Sequence, residues 1–220
     1  MTDPAITFEP ETHRYFVDDG LGGPRLVRSV TQRLEDVGIS DFSGVPDEIL
    51  WAAQQRGTAV HLACHYINQR NLDPESIDER IGGYVEAWKK FRRDKQLRLR
   101  HSEKLVYRRI SIHGPDAIIR QVTDLEIIGT LDWEGSITKF AEVIGDIKTG
   151  EETDAWRVQL AAYVRAFSRR APFTHKRLIV QLERTGNYRC HWYPIRDFPK
   201  DFERFRNALI EGKRKELQVA

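Results

Sequence analysis

The hydrophobic period of this chain changes from helical to extended and back again, and few folds accommodate that order. From residue 47 to 69 the apolar positions Ile49, Leu50, Ala53, Val60, Leu62, Ala63 and Ile67 recur at three and four residues, the spacing of a helix. Residues 77–95 repeat that spacing with Tyr84, Trp88 and Phe91 on the apolar side. Then "SEKLVYRRISI", "AIIRQVTDLEIIGTLDWEGSI" and "FAEVIGDIK", rich in Ile, Val and Thr, read as strands, with "HGPD" and "SITKF" as turns. Residues 154–169 return to helical spacing through Trp156, Leu160, Tyr163 and Phe167. "HKRLIVQLERTGNYRCHWYPI" reads as a hairpin about Thr185-Gly186-Asn187, and "DFPKDFERFRNALIEGKRKEL" as a closing amphipathic helix. At the start, "AITFEPETHRYFVDDG" alternates like a strand pair with "DDGLGG" as its turn, before a short helix in "RSVTQRLEDVG".

This order predicts an α/β fold with a central mixed sheet flanked by helices. A strand–helix cap covers about residues 1–45, a core about 47–195 and a closing helix about 199–217. With 220 residues and 40% hydrophobic content, the chain is expected to form one domain, 1–220, around one core. No apolar run approaches the roughly 20 residues that span a bilayer, and the first residues lack a basic stretch followed by an apolar one, so a soluble, intracellular protein is expected. Cys64 and Cys190 are the only cysteines, which excludes a disulfide framework, a four-cysteine zinc site and a four-cysteine iron–sulfur cluster. Any metal must therefore sit mainly on oxygen and imidazole.

The stretch "EVIGDIKTG" carries the chemistry. Alternation along a strand puts Asp146 and Lys148 on one face at the strand's end. "GTLDWEG" offers a second carboxylate, Asp132, three residues after Gly129, where a missing side chain admits a close neighbour. Two carboxylates held close are costly unless a cation lies between them, and Mg2+ or Mn2+ on Asp132, Asp146 and the Ile147 carbonyl would supply it. Such an ion lowers the pKa of bound water and stabilises charge on a phosphoryl group, with Lys148 orienting that water. The competing reading is an exposed Asp146–Lys148 salt bridge on a surface hairpin.

In order along the chain stand Gly57-Thr58-Ala59-Val60-His61 on a helix, Glu103 on a strand, Gly129-Thr130-Leu131-Asp132, Asp146-Ile147-Lys148, and Gln159-Leu160-Ala161-Ala162-Tyr163 on the next helix. This arrangement resembles the PD-(D/E)XK nuclease superfamily, most closely its RecB-like exonuclease branch, over roughly residues 57 to 163. The resemblance implies a restriction-endonuclease-like core in which Asp132 and Asp146 ligate the metal, His61 adds a ligand and Lys148 is the signature lysine. It matches Gln159 and Tyr163 to the Q-x-x-x-Y motif; Glu103 is either the early glutamate of that pattern or a solvent-facing one. It implies a Mg2+- or Mn2+-dependent deoxyribonuclease, an exonuclease acting on DNA ends or single strands in recombination, repair or phage replication, cytoplasmic in a bacterium or phage-infected cell, with a recombination or replication protein as a possible partner. A structure-selective or flap endonuclease, or an inactive binding protein of the same fold, are the alternatives.

Some features depart from that pattern. His65 follows His61 by one turn, a spacing that also suits zinc, or else His65 packs or faces DNA. The segment 108–128 is longer than the core needs and reads as an extra hairpin. The net charge is only +2, but residues 89–100 hold seven bases against Asp94. Alone, such a run is as readily a solvated helix face; before the Glu103 strand, Arg92, Arg93, Lys95, Arg98 and Arg100 are expected to line a phosphate backbone's approach. Trp51, Trp133 and Trp156 are core residues or base-stacking ones, with Trp133, beside Asp132, the leading candidate for stacking.

Overall fold

The computed structural model describes residues 4–20, 22–111 and 124–219. Strands β1 (Ala5–Glu9), β2 (Arg14–Asp18) and β3 (Arg25–Val27) form an antiparallel sheet in that order. The chain reverses between β1 and β2 at residues 10–13, where His13 has a φ of 51°. The "DDGLGG" stretch expected to make that turn leads instead from β2 towards β3. Helix α1 (Val30–Asp36) opens with a capping box: Ser29 Oγ accepts from the Gln32 N–H, and the Gln32 side chain accepts from the Ser29 N–H.

Helix α2 (Asp47–Gln69) begins after Pro46 with Asp47 and Glu48 at the positive end of its dipole and stops at Arg70, whose φ of 60° is left-handed. Helix α3 (Glu79–Asp94) is capped by Asp78, which accepts from the Arg80 N–H. Five strands follow in the order β4 (Arg98–Ser111), β5 (Asp124–Ile137), β6 (Phe140–Lys148), β7 (Lys176–Leu182) and β8 (Tyr188–Tyr193). Only β6 and β7 run parallel, because α4 (Asp154–Phe167) and the single turn α5 (Ala171–Thr174) carry the chain back across the sheet. The "SITKF" turn lies at the β5–β6 hairpin, whereas "HGPD" and most of the expected extra hairpin at 108–128 fall outside the described residues. Helix α6 (Phe198–Val219) closes the chain.

The protein is thus a mixed α/β fold with a five-stranded mixed sheet and a three-stranded antiparallel sheet flanked by helices. On one face of the larger sheet Leu125, Ile127, Leu131 and Ile144 pack with Leu160 and Val164 of α4 and Phe205 and Leu209 of α6. On the other, Trp133, Val143, Ile147 and Val180 pack with Val60 and Cys64 of α2 and Trp88 and Phe91 of α3. The smaller sheet covers the rest of that second face, with Tyr15, Val17 and Val27 over Ile128 and Leu105. Leu131 and Trp133 would share a face in a regular strand, yet they join opposite layers. Strand β5 therefore turns over at Asp132.

That twist corrects the reading of Trp133. Its ring is completely buried and lies across Gly145 of the neighbouring strand, where a Cβ would sit 1.9 Å from Cζ2. It holds two layers together and presents no face to a base; Trp156, also buried, is likewise a core residue. Gly145→Ala is expected to destabilise the protein by about 1–3 kcal/mol, because the indole must shift in a packed layer. A urea unfolding curve with a lowered midpoint and unchanged slope checks this.

Candidate metal centre

The ladder between β5 and β6 runs from the hairpin to Trp133 opposite Gly145 and continues no further. Asp132 enters the gap that opens there. Its Oδ2 accepts the Ile147 N–H at 2.6 Å, and the side chain replaces the missing cross-strand carbonyl. The same oxygen lies 3.3 Å from Nδ1 of His61, which α2 presents from the layer above. Glu103 completes the group: ligand atoms of His61, Glu103 and Asp132 all lie within 4.8 Å of one another. Glu103 sits inside β4 with a φ of 51°, a left-handed conformation that is costly for a side-chain-bearing residue in a strand. The strain falls on the residue that brings a carboxylate to this group.

Asp146 is buried at the end of β6, and Lys148 Nζ lies 2.7 Å from its Oδ2. The two groups form an ion pair. Lys148 is partly open to solvent while Asp146 is not, which places the ammonium at the mouth. The expectation of a shared face is met, and the surface-hairpin alternative is not, since an exposed pair would not have a buried carboxylate.

The charges are strongly coupled. Burial pushes Asp146 up, the Asp132 carboxylate adds to it, and the net value is about 6 despite Lys148. Burial and then Asp132 raise Glu103 to about 8. Burial also works against the Asp132 carboxylate, but His61, Lys148 and the Ile147 N–H together hold it below its ordinary value. For His61, burial disfavours the proton, yet Asp132 and Asp146 overcome it and raise the imidazole to about 9. In the metal-free protein at neutral pH the site thus keeps protons on His61 and Glu103 that offset its clustered carboxylates. One imidazole and converging carboxylates are a donor set that fits a divalent cation of the Mg2+, Mn2+ or Zn2+ kind.

Several expected residues stand elsewhere. Asp146 is a neighbour of the three-residue group and not a member of it. Ile147 is engaged through its N–H to Asp132. Gln159 and Tyr163 do share a face of α4, where Gln159 Nε2 donates to Tyr163 Oη at 3.2 Å; both are buried, and Gln159 also reaches Thr31 of α1 at 3.5 Å. A Cβ at Gly129 would come within 2.8 Å of Tyr163 Cε1, so the close neighbour that Gly129 admits is this ring. Burial first, and then Asp146, raise the Tyr163 hydroxyl well above its ordinary pKa, so it stays neutral. His65 does not join His61; its ring nitrogens lie 3.2 Å from Ser102 Oγ and 2.8 Å from Gln69 Nε2.

Several members of the basic run are engaged within the fold. Arg92 donates to the Ile67 carbonyl at 3.0 Å, Arg93 faces Asp94 at 3.8 Å, and Lys95 lies 5.9 Å from the Tyr188 ring centre. Arg100 is bound to the buried Glu134 carboxylate and to the Ala141 carbonyl. Arg98 is exposed, opposite Ser136. Lys95, Arg98 and Arg100 stand by the β5–β6 hairpin, where the Lys95 carbonyl accepts from the Thr138 N–H, whereas Arg92 is held at the C-terminal end of α2. The start of β6 is there and Lys148 is at its end, roughly 25 Å away at strand rise, so the hairpin itself stands far from Lys148. Sequence reading also missed Tyr15, whose hydroxyl lies 3.0 Å from Thr130 Oγ1 and whose pKa is raised by burial and by Glu103 and Asp132. Nothing in the sequence places the smaller sheet over β5, so Tyr15 carried no signal.

These elements define a mixed α/β protein with a His–Glu–Asp group at a break between two strands, its Asp132 buried and its His61 and Glu103 reachable from solvent. No protein-family model and no curated protein matches the chain. Among the described residues, no helix is long and apolar enough to cross a membrane.

Proposed function

We propose that this chain is a metal-dependent phosphodiesterase of the PD-(D/E)XK kind, a deoxyribonuclease with a restriction-endonuclease-like core that acts on DNA ends or single strands. The observation that carries the reading is the convergence of His61, Glu103 and Asp132 within 4.8 Å, with the Asp146–Lys148 pair on the adjoining strand end. A bound Mg2+ or Mn2+ held by these three side chains, with Asp146 beside them, would supply Lewis acidity and an activated water.

The side chains have separable tasks. The Ile147 N–H fixes the orientation of Asp132, so one carboxylate oxygen is committed before any ligand arrives. Lys148 is the accessible cation, placed to orient a nucleophilic water or to meet the charge that grows on a phosphoryl oxygen. Asp146 holds that ammonium at 2.7 Å. Gln159 and Tyr163, buried and bonded to each other, pack near enough to Asp146 for its charge to act on the Tyr163 hydroxyl.

The direct test is cleavage of end-labelled linear and circular DNA with Mg2+, Mn2+ or EDTA. Metal-dependent loss of linear DNA that spares circles is expected, and an absence of cleavage with every metal would refute the reading. Metal binding should also depend on pH with a defined sign. The His61 proton, held from its ordinary 6.5 up to about 9, stabilises the metal-free fold fully below pH 6.5, and that contribution is lost as pH rises through 9. Glu103, raised from 4.5 to about 8, destabilises the fold progressively as pH climbs over that interval. The melting temperature of the metal-free protein should therefore fall between pH 6.5 and 9, while the increment conferred by Mn2+ grows over the same window because metal and protons compete. Thermal melts with and without Mn2+ across that range check both trends.

A further inference from the structure

The N-terminal half of α2 lines a cavity of about 630 Å³ that the carboxylate site does not use. Its walls include Trp51, Gln55 and Arg56 of α2, Arg80 and Tyr84 of α3, and Arg184 from the turn between β7 and β8. Trp51 is 64% exposed, in contrast to the buried Trp88, Trp133 and Trp156. An indole left open beside a cavity has a flat face free for stacking.

The cationic groups around it are also available. Arg80 is matched by Asp78, but among the described residues neither Arg56 nor Arg184 has a carboxylate partner, and Arg56 Nε is buried without any hydrogen bond. The turn is held in place by the backbone itself. Gly83 of α3 lies so close to it that a Cβ there would stand 1.8 Å from the Arg184 carbonyl oxygen. A side chain at this position would push Arg184 away from the cavity, which gives "IGGYVEAW" a role that helix formation alone does not explain.

The cavity opens at the same end of the sheet as Lys148. Strands β6 and β7 are parallel, Lys148 pairs with Gln181, and Arg184 follows Gln181 by three residues. On the other side, Gly57 adjoins Arg56 in sequence, and the nearest atom to a Cβ at Gly57 would be Thr149 Oγ1 at 3.9 Å. A glycine next to Arg56 and the residue after Lys148 thus approach each other between cavity and site.

We infer that this cavity is a subsite for single-stranded nucleic acid beside the carboxylate centre: Trp51 stacks an unpaired base, and Arg56 and Arg184 hold phosphate oxygens of the same strand. The inference rests on the phosphodiesterase reading for its direction along the strand and for its connection to Lys148. Aromatic stacking with flanking guanidinium groups is how proteins bind single strands without reading their sequence. A duplex keeps its bases stacked inside and offers Trp51 nothing equivalent.

The test measures binding and cutting separately. Fluorescein-labelled oligothymidylate and a duplex of equal length are titrated with the Asp132→Asn protein in Ca2+ by anisotropy, with Trp51→Ala and Arg56→Gln/Arg184→Gln added in that background. Tighter binding of the single strand is expected, with a loss of about 5- to 150-fold for Trp51→Ala, the range for one base stack. The double substitution should weaken binding and reduce the slope of log K against log salt by about 1.4, for two phosphate contacts. Unchanged melting temperatures keep the comparison one of binding. Equal affinity of the variants and their parent would overturn the subsite, as would displacement of the oligonucleotide by polyglutamate at equal charge concentration, which would mark an acidic-peptide site. If oligonucleotide binding behaves as described while the wild-type protein cuts no DNA with any metal, the subsite stands and the phosphodiesterase reading fails.

Discussion

Asp132→Asn should abolish metal-dependent cleavage, lowering the rate by about 10²- to 10⁴-fold, while leaving the fold intact. The amide keeps an oxygen that can accept the Ile147 N–H, now made at 2.6 Å, so the break between β5 and β6 need not rearrange. What disappears is the charge shared with His61 and the anionic ligand set completed by Glu103. Calorimetric titration with Mn2+ should show binding to the wild type and a large loss in the variant, so the defect is traced to the metal and not to DNA binding. Removing a carboxylate from beside Asp146 and Glu103 also relieves repulsion, since Asp132 is among the groups that raise both. Glu103 in particular should titrate nearer its ordinary value in the variant, a shift observable by NMR of a 13C-labelled carboxyl. Retained cleavage in Asp132→Asn would remove the centre from the reaction altogether.

The largest stability effect is expected far from that centre. Asp201 of α6 and Arg177 of β7 are paired at 2.8 Å with each side chain only 1% exposed, and Arg157 of α4 reaches the same carboxylate at 2.7 Å. Arg177 also donates to the carbonyls of Arg157 and Pro194, and its Nε already lacks a partner among the described residues. Asp201→Ala would strand a guanidinium in the layer between sheet and helices, which costs about 3–5 kcal/mol when one member of a buried pair is removed. For a chain of this size that corresponds to a fall in melting temperature of roughly 10 °C. Arg80, paired with Asp78 at the surface, provides the contrast: its loss should leave stability almost unchanged, because solvent screens an exposed pair. Chemical denaturation of both variants compares them directly, and equal small effects would show that the buried network contributes no net stability.

Much of this architecture was legible because it follows from short-range physics. Helix α2 occupies residues 47–69, as the three-and-four spacing of its apolar residues predicts, although it buries only Val60, Ala63 and Cys64 and leaves Ile49 and Leu62 exposed. The Asp146–Lys148 face followed from strand alternation, and Gln159 and Tyr163 met on α4 because residues four apart are neighbours on a helix. The twist of β5 at Asp132 was not legible. Alternation would put Leu131 and Trp133 on one face, but the opening of the β5–β6 ladder lets Asp132 reach across to Ile147 and sends Trp133 into the opposite layer, over Gly145. The basic run likewise had a charge but no address, because the end of α3 was joined to the hairpin by a backbone contact between Lys95 and Thr138, forty-three residues apart. By itself the sequence determined which residues are helical or extended and which side chains share a local face, since those depend on neighbours within about four positions. Tertiary structure alone decided that His61, Glu103 and Asp132 meet, because three separate elements must pack before their charges can act on one another.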